Sequence, residues 1–167
     1  MDNVIRPWVP ADATDLAHAV NNKNILDNLR DGLPFPYTVK DAGEYIRAML
    51  AADKNETFAF AIVKADRAVG SIGAFRQGNI HRLTAEIGYY VAEEYWGQGF
   101  CTRAVKEICR TVFECTDIVR LFAEPFAHNK ASCRVLEKAG FTREGTLRRN
   151  AVKNGQLVDM NLYAILK

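Results

Sequence analysis

Residues 84–102, TAEIGYYVAEEYWGQGFCT, constrain the fold of this chain more than any other stretch. An apolar strand ends at a turn that contains Gly97 and Gly99, and a helix is predicted to begin directly after it. Because glycine has no Cβ atom, the amide N–H groups at the start of the helix can point at a ligand near the positive end of the helix dipole. The sequence therefore predicts an anion site between this strand and this helix, of the kind that binds phosphate groups.

Two common nucleotide-binding patterns do not fit this turn. A dinucleotide fingerprint needs a third glycine, but Gly97 and Gly99 are followed by Cys101 and Thr102. A P-loop needs a lysine followed by Ser or Thr, and the turn contains no lysine. Both nucleotide interpretations are excluded, so the phosphate ligand must be of another kind.

The rest of the chain alternates helical and strand patterns. From Thr57 a period of two predicts three antiparallel strands in TFAFAIVK, AVGSIGAFRQ and LTAEIGYYVA. Apolar residues three and four apart predict a helix over 99–114, VRLFAEPF is a fifth strand, and Asn129 caps a helix that ends at Gly140. The single β-α-β crossover places a ligand of the glycine turn at the C-terminal end of a strand.

The two ends of the chain complete the pattern. A strand at 3–9 precedes a helix over 13–21 with Asp12 as its N-cap, a short helical piece near 25–29, and a helix over 39–52 capped by Thr38 and Asp41. Residues 141–166 form a closing hairpin. The predicted order is β-α-α-β-β-β-α-β-α-β-β, a mixed α/β (α+β) class in one domain over residues 1–167.

Composition excludes several classes of protein. Hydrophobic residues make up 49% of the 167, and a net charge of +2 with scattered basic residues argues against nucleic acid binding. No apolar run approaches the ~20 residues of a membrane span, so no membrane association is expected. The four cysteines form no CxxC pair, the three histidines are not spaced as metal ligands, and no signal peptide is recognised. We expect a cytoplasmic protein with reduced thiols and no metal.

The pattern resembles the GCN5-related N-acetyltransferase (GNAT) superfamily over essentially the whole chain. The family motif (Gln/Arg)-x-x-Gly-x-(Gly/Ala) maps to 96–101, with Trp96 and Cys101 departing from it. Residues 129–145 are similar to the NxxSxxVxxKxGFxxEG signature of the RimJ/RimL-like branch, as are EIGY at 86–89 and YWG at 95–97. The resemblance implies a central, mostly antiparallel twisted sheet of about seven strands with helices on both faces.

The resemblance also implies the cofactor, acetyl-CoA, as a co-substrate. The main chain of Tyr90 and Val91 would bind the pantetheine arm as an added strand, with the Val91 N–H on the thioester carbonyl. Asn129 would hydrogen-bond a pantetheine amide or simply cap its helix. The start of the helix would bind the pyrophosphate through Gln98, Gly99, Phe100, Cys101 and Thr102.

Two side chains are candidates for the chemistry. Many GNAT enzymes have an acidic Tyr seven residues after the Asn, but this chain has Leu136 there, and Ser132 becomes the candidate acid for the CoA thiolate, or else a serine at the helix start that bonds its own backbone. Glu86 is the candidate base for the amine, or else a structural carboxylate paired to an arginine or to the backbone. Some members carry a second carboxylate at the position of Ala151. A covalent route through Cys101 is disfavoured because Cys101 lies in the phosphate turn.

The expected function is N-acetyl transfer from acetyl-CoA to a primary amine, a protein N-terminus or a small molecule, by direct attack in a ternary complex. Phe35 and Tyr37 are expected to form a wall of the acceptor pocket, or else to pack a loop. The alternatives are a catalytically inactive CoA-binding or sensing module and a protein-interaction domain. A monomer or a homodimer fits either function, and the sequence does not identify the amine.

Overall fold

The computed structural model describes residues 3–167, which form one seven-stranded sheet with helices on both faces. The strand order is β1-β2-β3-β4-β5-β7-β6, and every neighbouring pair is antiparallel except β4 and β5. The strands are β1 Ile5–Pro7, β2 Thr57–Lys64, β3 Arg67–Arg76, β4 Thr84–Val91, β5 Arg120–Ala123, β6 Thr142–Lys153 and β7 Gln156–Leu166. The helices are α1 Ala13–Val20, α2 Lys23–Leu26, α3 Val39–Ala51, α4 Phe100–Cys115 and α5 Lys130–Ala139. The predicted fold is confirmed.

Local capping signals explain where several helices begin and end. The Thr38 hydroxyl accepts a hydrogen bond from the Asp41 N–H while Asp41 accepts one from the Thr38 N–H, which is the predicted capping box of α3. Asn129 Oδ1 accepts from the Ser132 N–H at 3.2 Å and starts α5. Gly140 ends α5 with a φ of 99°, the left-handed conformation that glycine adopts at least cost.

Three predictions differ from the structure. Asp12 is the N-cap residue of α1 as predicted, but its side chain makes no capping hydrogen bond; its carboxylate instead accepts two hydrogen bonds of 2.8 Å from Arg6. The short second helix spans Lys23–Leu26 rather than 25–29. β5 spans only the four residues Arg120–Ala123 of the predicted strand VRLFAEPF, since Pro125 closely follows it and lacks an N–H for the ladder.

Two hydrophobic clusters occupy the two faces of the sheet. α4 and α5 cover one face, where Val105, Ile108 and Val112 of α4 are fully buried at the predicted helical spacing. α1 and α3 cover the other face. Side chains of β4 alternate between these faces, so Ile87, Tyr89 and Val91 face α4 and α5 while Tyr90 packs on the α1–α3 side.

The two parallel strands separate soon after they meet. Only three residue pairs join β4 to β5, from Thr84–Arg120 to Glu86–Phe122, although β4 continues to Val91. Residues 87–91 therefore border an opening in the sheet on the β5 side. No helix among residues 3–167 is long and apolar enough to cross a membrane.

Candidate active site

The turn before α4 has the left-handed backbone that its glycines predict. Gly97 and Gly99 have φ values of 71° and 80°, and a Cβ atom added at either position would meet no atom within 4 Å. No side chain in the described chain caps the 16-residue helix α4 at Gly99. The first N–H groups of α4 are thus left for a ligand on the open side of the turn, as an anion site requires.

The edge of β4 presents main-chain groups to the opening. The Gln77 N–H donates to Thr84 O at 2.9 Å and the Ala92 N–H donates to Val69 O at 2.8 Å. Because hydrogen bonds alternate along an antiparallel pair, even-numbered residues of β4 bond to β3, and the N–H of Val91 points the other way. Val91 O on the same side accepts from the Trp96 indole N–H at 3.0 Å.

This alternation corrects one predicted contact. Main-chain groups of Tyr90 point towards β3, so they do not face the opening as the sequence predicted. Tyr89 is two residues before Val91, so its main-chain groups point to the same side as those of Val91 and face the opening in place of Tyr90. The Tyr90 side chain packs among the residues of the α1–α3 cluster, and its burial raises the pKa of its hydroxyl.

Ser132 lies on the α5 side of the opening and contacts Tyr89. The Tyr89 hydroxyl is 2.9 Å from Ser132 Oγ and 3.1 Å from the Ser132 carbonyl oxygen. Ser132 also donates its N–H to Asn129 Oδ1, so the predicted capping role of Asn129 is confirmed. Leu136 is fully buried in the core, which explains why it takes no part in the site.

Glu86 lies on the opposite face of the sheet, at the last residue pair before the strands separate. Both of its carboxylate oxygens contact the guanidinium of Arg30, which follows α2, and Arg30 Nη2 also lies 3.4 Å from Glu124 Oε2. Burial raises the pKa of Glu86; Arg30 opposes this rise and the negative charge of Glu124 adds to it. The structure thus shows the predicted arginine pairing, and the role of Glu86 as a base remains a prediction.

A cleft of about 300 Å³ lies beside this cluster, between the segment after α2 and the β6–β7 hairpin. Two polar contacts join its walls, Lys153 Nζ to Asp31 Oδ1 at 2.7 Å and Asn154 Nδ2 to Asp27 Oδ1 at 3.0 Å. Ala151 is in its lining, where it leaves an apolar surface. The lining residues are Arg30, Asp31, Glu124, Phe126, Asn150, Ala151, Val152, Lys153 and Met160.

The predicted acceptor wall lies elsewhere. Phe35 is exposed, with Lys23 Nζ 5.3 Å from its ring centroid, and Tyr37 is buried in the cluster between the sheet and helices α1 and α3. Neither residue lines the cleft. Tyr37 therefore has the packing role that the sequence left open, and contact of Phe35 with an acceptor remains a prediction.

Cys101 is half-buried in the first turn of α4, and burial raises the pKa of its thiol to about 12. A thiol with this pKa is protonated near neutral pH and is a poor nucleophile. The covalent route through Cys101 is disfavoured on these grounds as well. Within residues 3–167 no group of three His, Cys, Asp or Glu side chains is arranged to bind a metal ion.

Comparison with known proteins decides the family. The family model described as Acetyltransferase (GNAT) domain matches residues 3–142. The chain belongs to the GNAT family. Its match to the probable N-acetyltransferase YjcK of Bacillus subtilis is 36% identical over 116 residues, 68% of this chain and 64% of that relative. The match to the uncharacterized N-acetyltransferase YoaA of the same organism is 37% identical over 99 residues, 59% of this chain and 55% of the relative.

Solved GNAT structures share the whole fold. RimJ of Mycobacterium smegmatis in complex with CoA-disulfide superposes with a TM-score of 0.86 at 24% identity, covering 97% of this chain and 80% of that one. The ribosomal-protein-S5-alanine acetyltransferase of Vibrio fischeri gives a TM-score of 0.85 at 22% identity, covering 97% and 91%. The chain spans between about half and two thirds of the length of the two Bacillus relatives, while these structures show the common GNAT fold.

Three residues of this candidate site, Tyr89, Glu124 and Arg30, were not predicted from the sequence. Tyr89 stands in the EIGY motif with the parity of Val91, and strand alternation from Val91 would have found it. Glu124 directly follows β5, where a side chain at a strand end reaches a ligand opening. Arg30 carries no local signal, because its contact with Glu86 spans 56 positions of the chain.

Proposed function

We propose that this protein transfers the acetyl group of acetyl-CoA to a primary amine by direct attack in a ternary complex. One observation carries the proposal: the free edge of β4 runs directly into the glycine turn that exposes the first N–H groups of α4. A ligand that needs both an added strand and a phosphate site fits this continuous surface, and the pantetheine arm and pyrophosphate of acetyl-CoA supply the two.

The residues of this chain fit that ligand. The N–H groups of Gln98 to Thr102 face the pyrophosphate, with the Thr102 hydroxyl as a further donor. The Val91 N–H donates to the thioester carbonyl oxygen, on which negative charge develops during attack. This donor is fixed by the β3–β4 pairing, so it needs no reorganisation at the moment of reaction.

The amine approaches from the face that carries Glu86. An amine nucleophile must lose a proton to attack, since the pKa of an α-amine or a lysine lies near 8 or 10. Glu86 accepts this proton directly or through water, and its raised pKa suits the role. Because Arg30 contacts both carboxylate oxygens, the guanidinium must shift from Glu86 before the carboxylate can take the proton.

The cleft between Arg30, Asp31 and the final hairpin is lined by the arginine that contacts this carboxylate, and it is the proposed entry of the acceptor. Its walls contain positively and negatively charged side chains as well as the apolar side chains of Phe126 and Met160. A protein N-terminus and a small amine with an apolar part both fit such a cleft. Among similar proteins, the E. coli ribosomal-protein-serine acetyltransferase, 31% identical over 105 residues, is named for a protein acceptor, and a Vibrio cholerae spermidine N-acetyltransferase that shares the fold, with a TM-score of 0.79 at 22% identity, is named for a small amine.

Thermal unfolding with and without acetyl-CoA tests the cofactor. Ligand at ~100 times its dissociation constant adds about 2.7 kcal/mol and raises the midpoint. Gly99→Val should abolish this rise, because a branched side chain at a φ of 80° distorts the turn and fills its open side. Gly155→Val, at a φ of 73° in the β6–β7 turn, is the matched control and should keep the rise at a similar cost in stability.

Release of free thiol with a panel of peptides, polyamines, aminoglycosides and amino acids tests turnover. We expect release with at least one amine. Tight CoA binding without release from any acceptor would favour the inactive sensing module instead. No midpoint rise at millimolar acetyl-CoA would refute the cofactor and every function that depends on it.

A further inference from the structure

The hydroxyl of Tyr89 bridges the two sides of the opening in the sheet. Tyr89 belongs to β4, and Ser132 to the first turn of α5, which follows β5. The phenol oxygen lies 2.9 Å from Ser132 Oγ and 3.1 Å from the Ser132 carbonyl oxygen. This contact spans the place where the β4–β5 ladder has already ended, so it fixes the Ser132 hydroxyl relative to the strand that carries the Val91 N–H.

The Tyr89 hydroxyl donates to the Ser132 carbonyl oxygen, and in its contact with Ser132 Oγ either hydroxyl can donate. Burial raises the pKa of its hydroxyl, so the phenol stays protonated throughout the range in which an enzyme works. Its single hydrogen has two acceptors, both on Ser132. When the hydrogen points at Ser132 Oγ, the hydrogen of the serine must turn elsewhere, because a hydroxyl donates only once.

We propose that Tyr89 is a positioning residue that holds the Ser132 hydroxyl with its hydrogen directed into the opening, at the sulfur of the departing CoA. The inference rests on the proposed function and adds a residue to it. Tyr89 does not itself touch the thioester. It determines the direction in which Ser132 donates.

The proposed acetyl transfer does not require Ser132 to lose its proton and become an alkoxide. The amine nitrogen forms a bond to the thioester carbon, and the carbon–sulfur bond breaks with its electron pair on sulfur. The proton lost by the amine passes to Glu86 or water. Ser132 donates a hydrogen bond to the thiolate and keeps its proton, and the thiolate takes a proton from water on release. This suits a thiol leaving group, whose pKa near 8.5 makes full protonation during the step unnecessary.

The arrangement accounts for the side chain at position 136. Leu136 lies in the same helix, one turn beyond Ser132, and is fully buried and apolar. It offers no hydrogen-bond donor, so the donor that we propose for the sulfur in this helix is Ser132. A serine hydroxyl rotates freely about its C–O bond, and the Tyr89 contact removes that freedom.

A double-mutant cycle tests the inference with an acceptor identified by thiol release. Ser132→Ala should lower kcat about 100-fold, in the range of a lost donor to the leaving group. Tyr89→Phe should lower kcat about tenfold with KM for acetyl-CoA within twofold. The double variant should be no slower than Ser132→Ala alone, because the two residues act as a unit.

Tyr45→Phe is the matched control. It removes another tyrosine hydroxyl that contacts a serine, 3.4 Å from Ser71 Oγ, and Tyr45 lies in α3 on the opposite face of the sheet from Tyr89. We expect it to retain wild-type kcat and to combine additively with Ser132→Ala. The acetyl-CoA-dependent rise in unfolding midpoint should persist in every variant, which shows that each one folds and binds the donor.

The outcomes separate the two proposals. A roughly 1000-fold loss in the Tyr89→Phe, Ser132→Ala double variant would mean independent effects and would overturn this inference alone, as would wild-type kcat in Tyr89→Phe. A wild-type protein that binds acetyl-CoA but acetylates no amine would overturn the proposed function as well. Non-additive losses in kcat, with KM unchanged, would support the inference.

Discussion

Gly70 in β3 sets the position of the β4 edge. It pairs with Val91 at the end of the β3–β4 ladder, next to a bulge in the β2–β3 pairing. A Cβ atom added at Gly70 would lie 2.8 Å from Val91 Cα and closer still to Tyr90 O. These are backbone atoms, so no side-chain rotation relieves the clash. We predict that Gly70→Ala displaces the strand that presents the Val91 N–H.

The size of the effect follows from the geometry. Ordinary contacts of a Cβ atom begin at 3.4 Å, so Val91 Cα must retreat by at least about 0.6 Å, the difference from 2.8 Å, and Tyr90 O must retreat further. Overpacking of this kind costs about 1–3 kcal/mol of unfolding free energy. A loss of about 2 kcal/mol lowers the unfolding midpoint of a domain this size by roughly 6 °C. Since misplacement by about 1 Å costs up to 100-fold, we expect kcat/KM to fall about 10- to 100-fold.

Thermal unfolding and thiol-release kinetics measure both effects on the same protein. Gly78→Ala is the control, because Gly78 has an extended backbone and a Cβ atom there meets nothing within 4 Å. The control should match the wild type in both assays. A Gly70→Ala variant with a lowered midpoint but wild-type kcat/KM would refute this prediction. Such a result would mean that the clash destabilises the fold without displacing the Val91 N–H.

Three further predictions concern other parts of the chain. Arg30→Ala should move the acid limb of the kcat/KM pH profile to higher pH, because Arg30 lowers the pKa of Glu86 and its loss keeps the carboxyl protonated further up the pH scale. Asp12→Asn should cost about 2 kcal/mol in urea unfolding at neutral pH, since Asp12 accepts two hydrogen bonds from Arg6. Gly43→Ala should raise the thermal midpoint by about 2–4 °C, because Gly43 lies inside α3 with open space around it.

Arg67→Ala is the control for Arg30→Ala. It removes another exposed arginine, which lies outside the candidate site and pairs with Asp15 at 2.6 Å, and it should leave the pH profile unchanged. Burial alone would raise the pKa of Asp12, but hydrogen bonds from Arg6 and the Val9 N–H outweigh it and lower the pKa. The stability from Asp12 is therefore present above about pH 4 and is lost as the pH falls through the folded-state pKa. A stability gap between wild type and Asp12→Asn that stays constant in acid would contradict this account.

Much of the fold was predictable because its signals are local. The periodicity of two in 57–92, the Thr38 and Asp41 capping box and the Gly140 stop all act within a few residues, and the structure confirms each of them. The side-chain contact of Asp12 was mispredicted because its partner belongs to another element. Asp12 stands at the N-cap position of α1, but its carboxylate accepts two hydrogen bonds from Arg6 of β1 instead of bonding the helix N–H groups. A charged partner outweighs a local capping bond.

The site divides in the same way. The glycine turn could be recognised from Gly97 and Gly99, because left-handed backbone is a property of single residues. The Tyr89–Ser132 contact could not, since the two residues are 43 positions apart and meet only where α5 packs beside the end of β4. Nor could the cleft, whose walls come from Arg30 and Asp31, the segment after β5 and the final hairpin.

The sequence by itself therefore determined the elements of this protein, the left-handed glycine turn before α4 and the family to which the chain belongs, because periodicity, caps and glycine conformations are encoded over short spans. Tertiary structure alone decided which main-chain N–H groups of β4 face the opening, that Arg30 bridges Glu86 and Glu124, and that Tyr89 holds Ser132. These contacts depend on how far β4 and β5 stay paired before they separate. No short segment of the chain carries that information, since the three-pair ladder between β4 and β5 results from the packing of both sheet faces together.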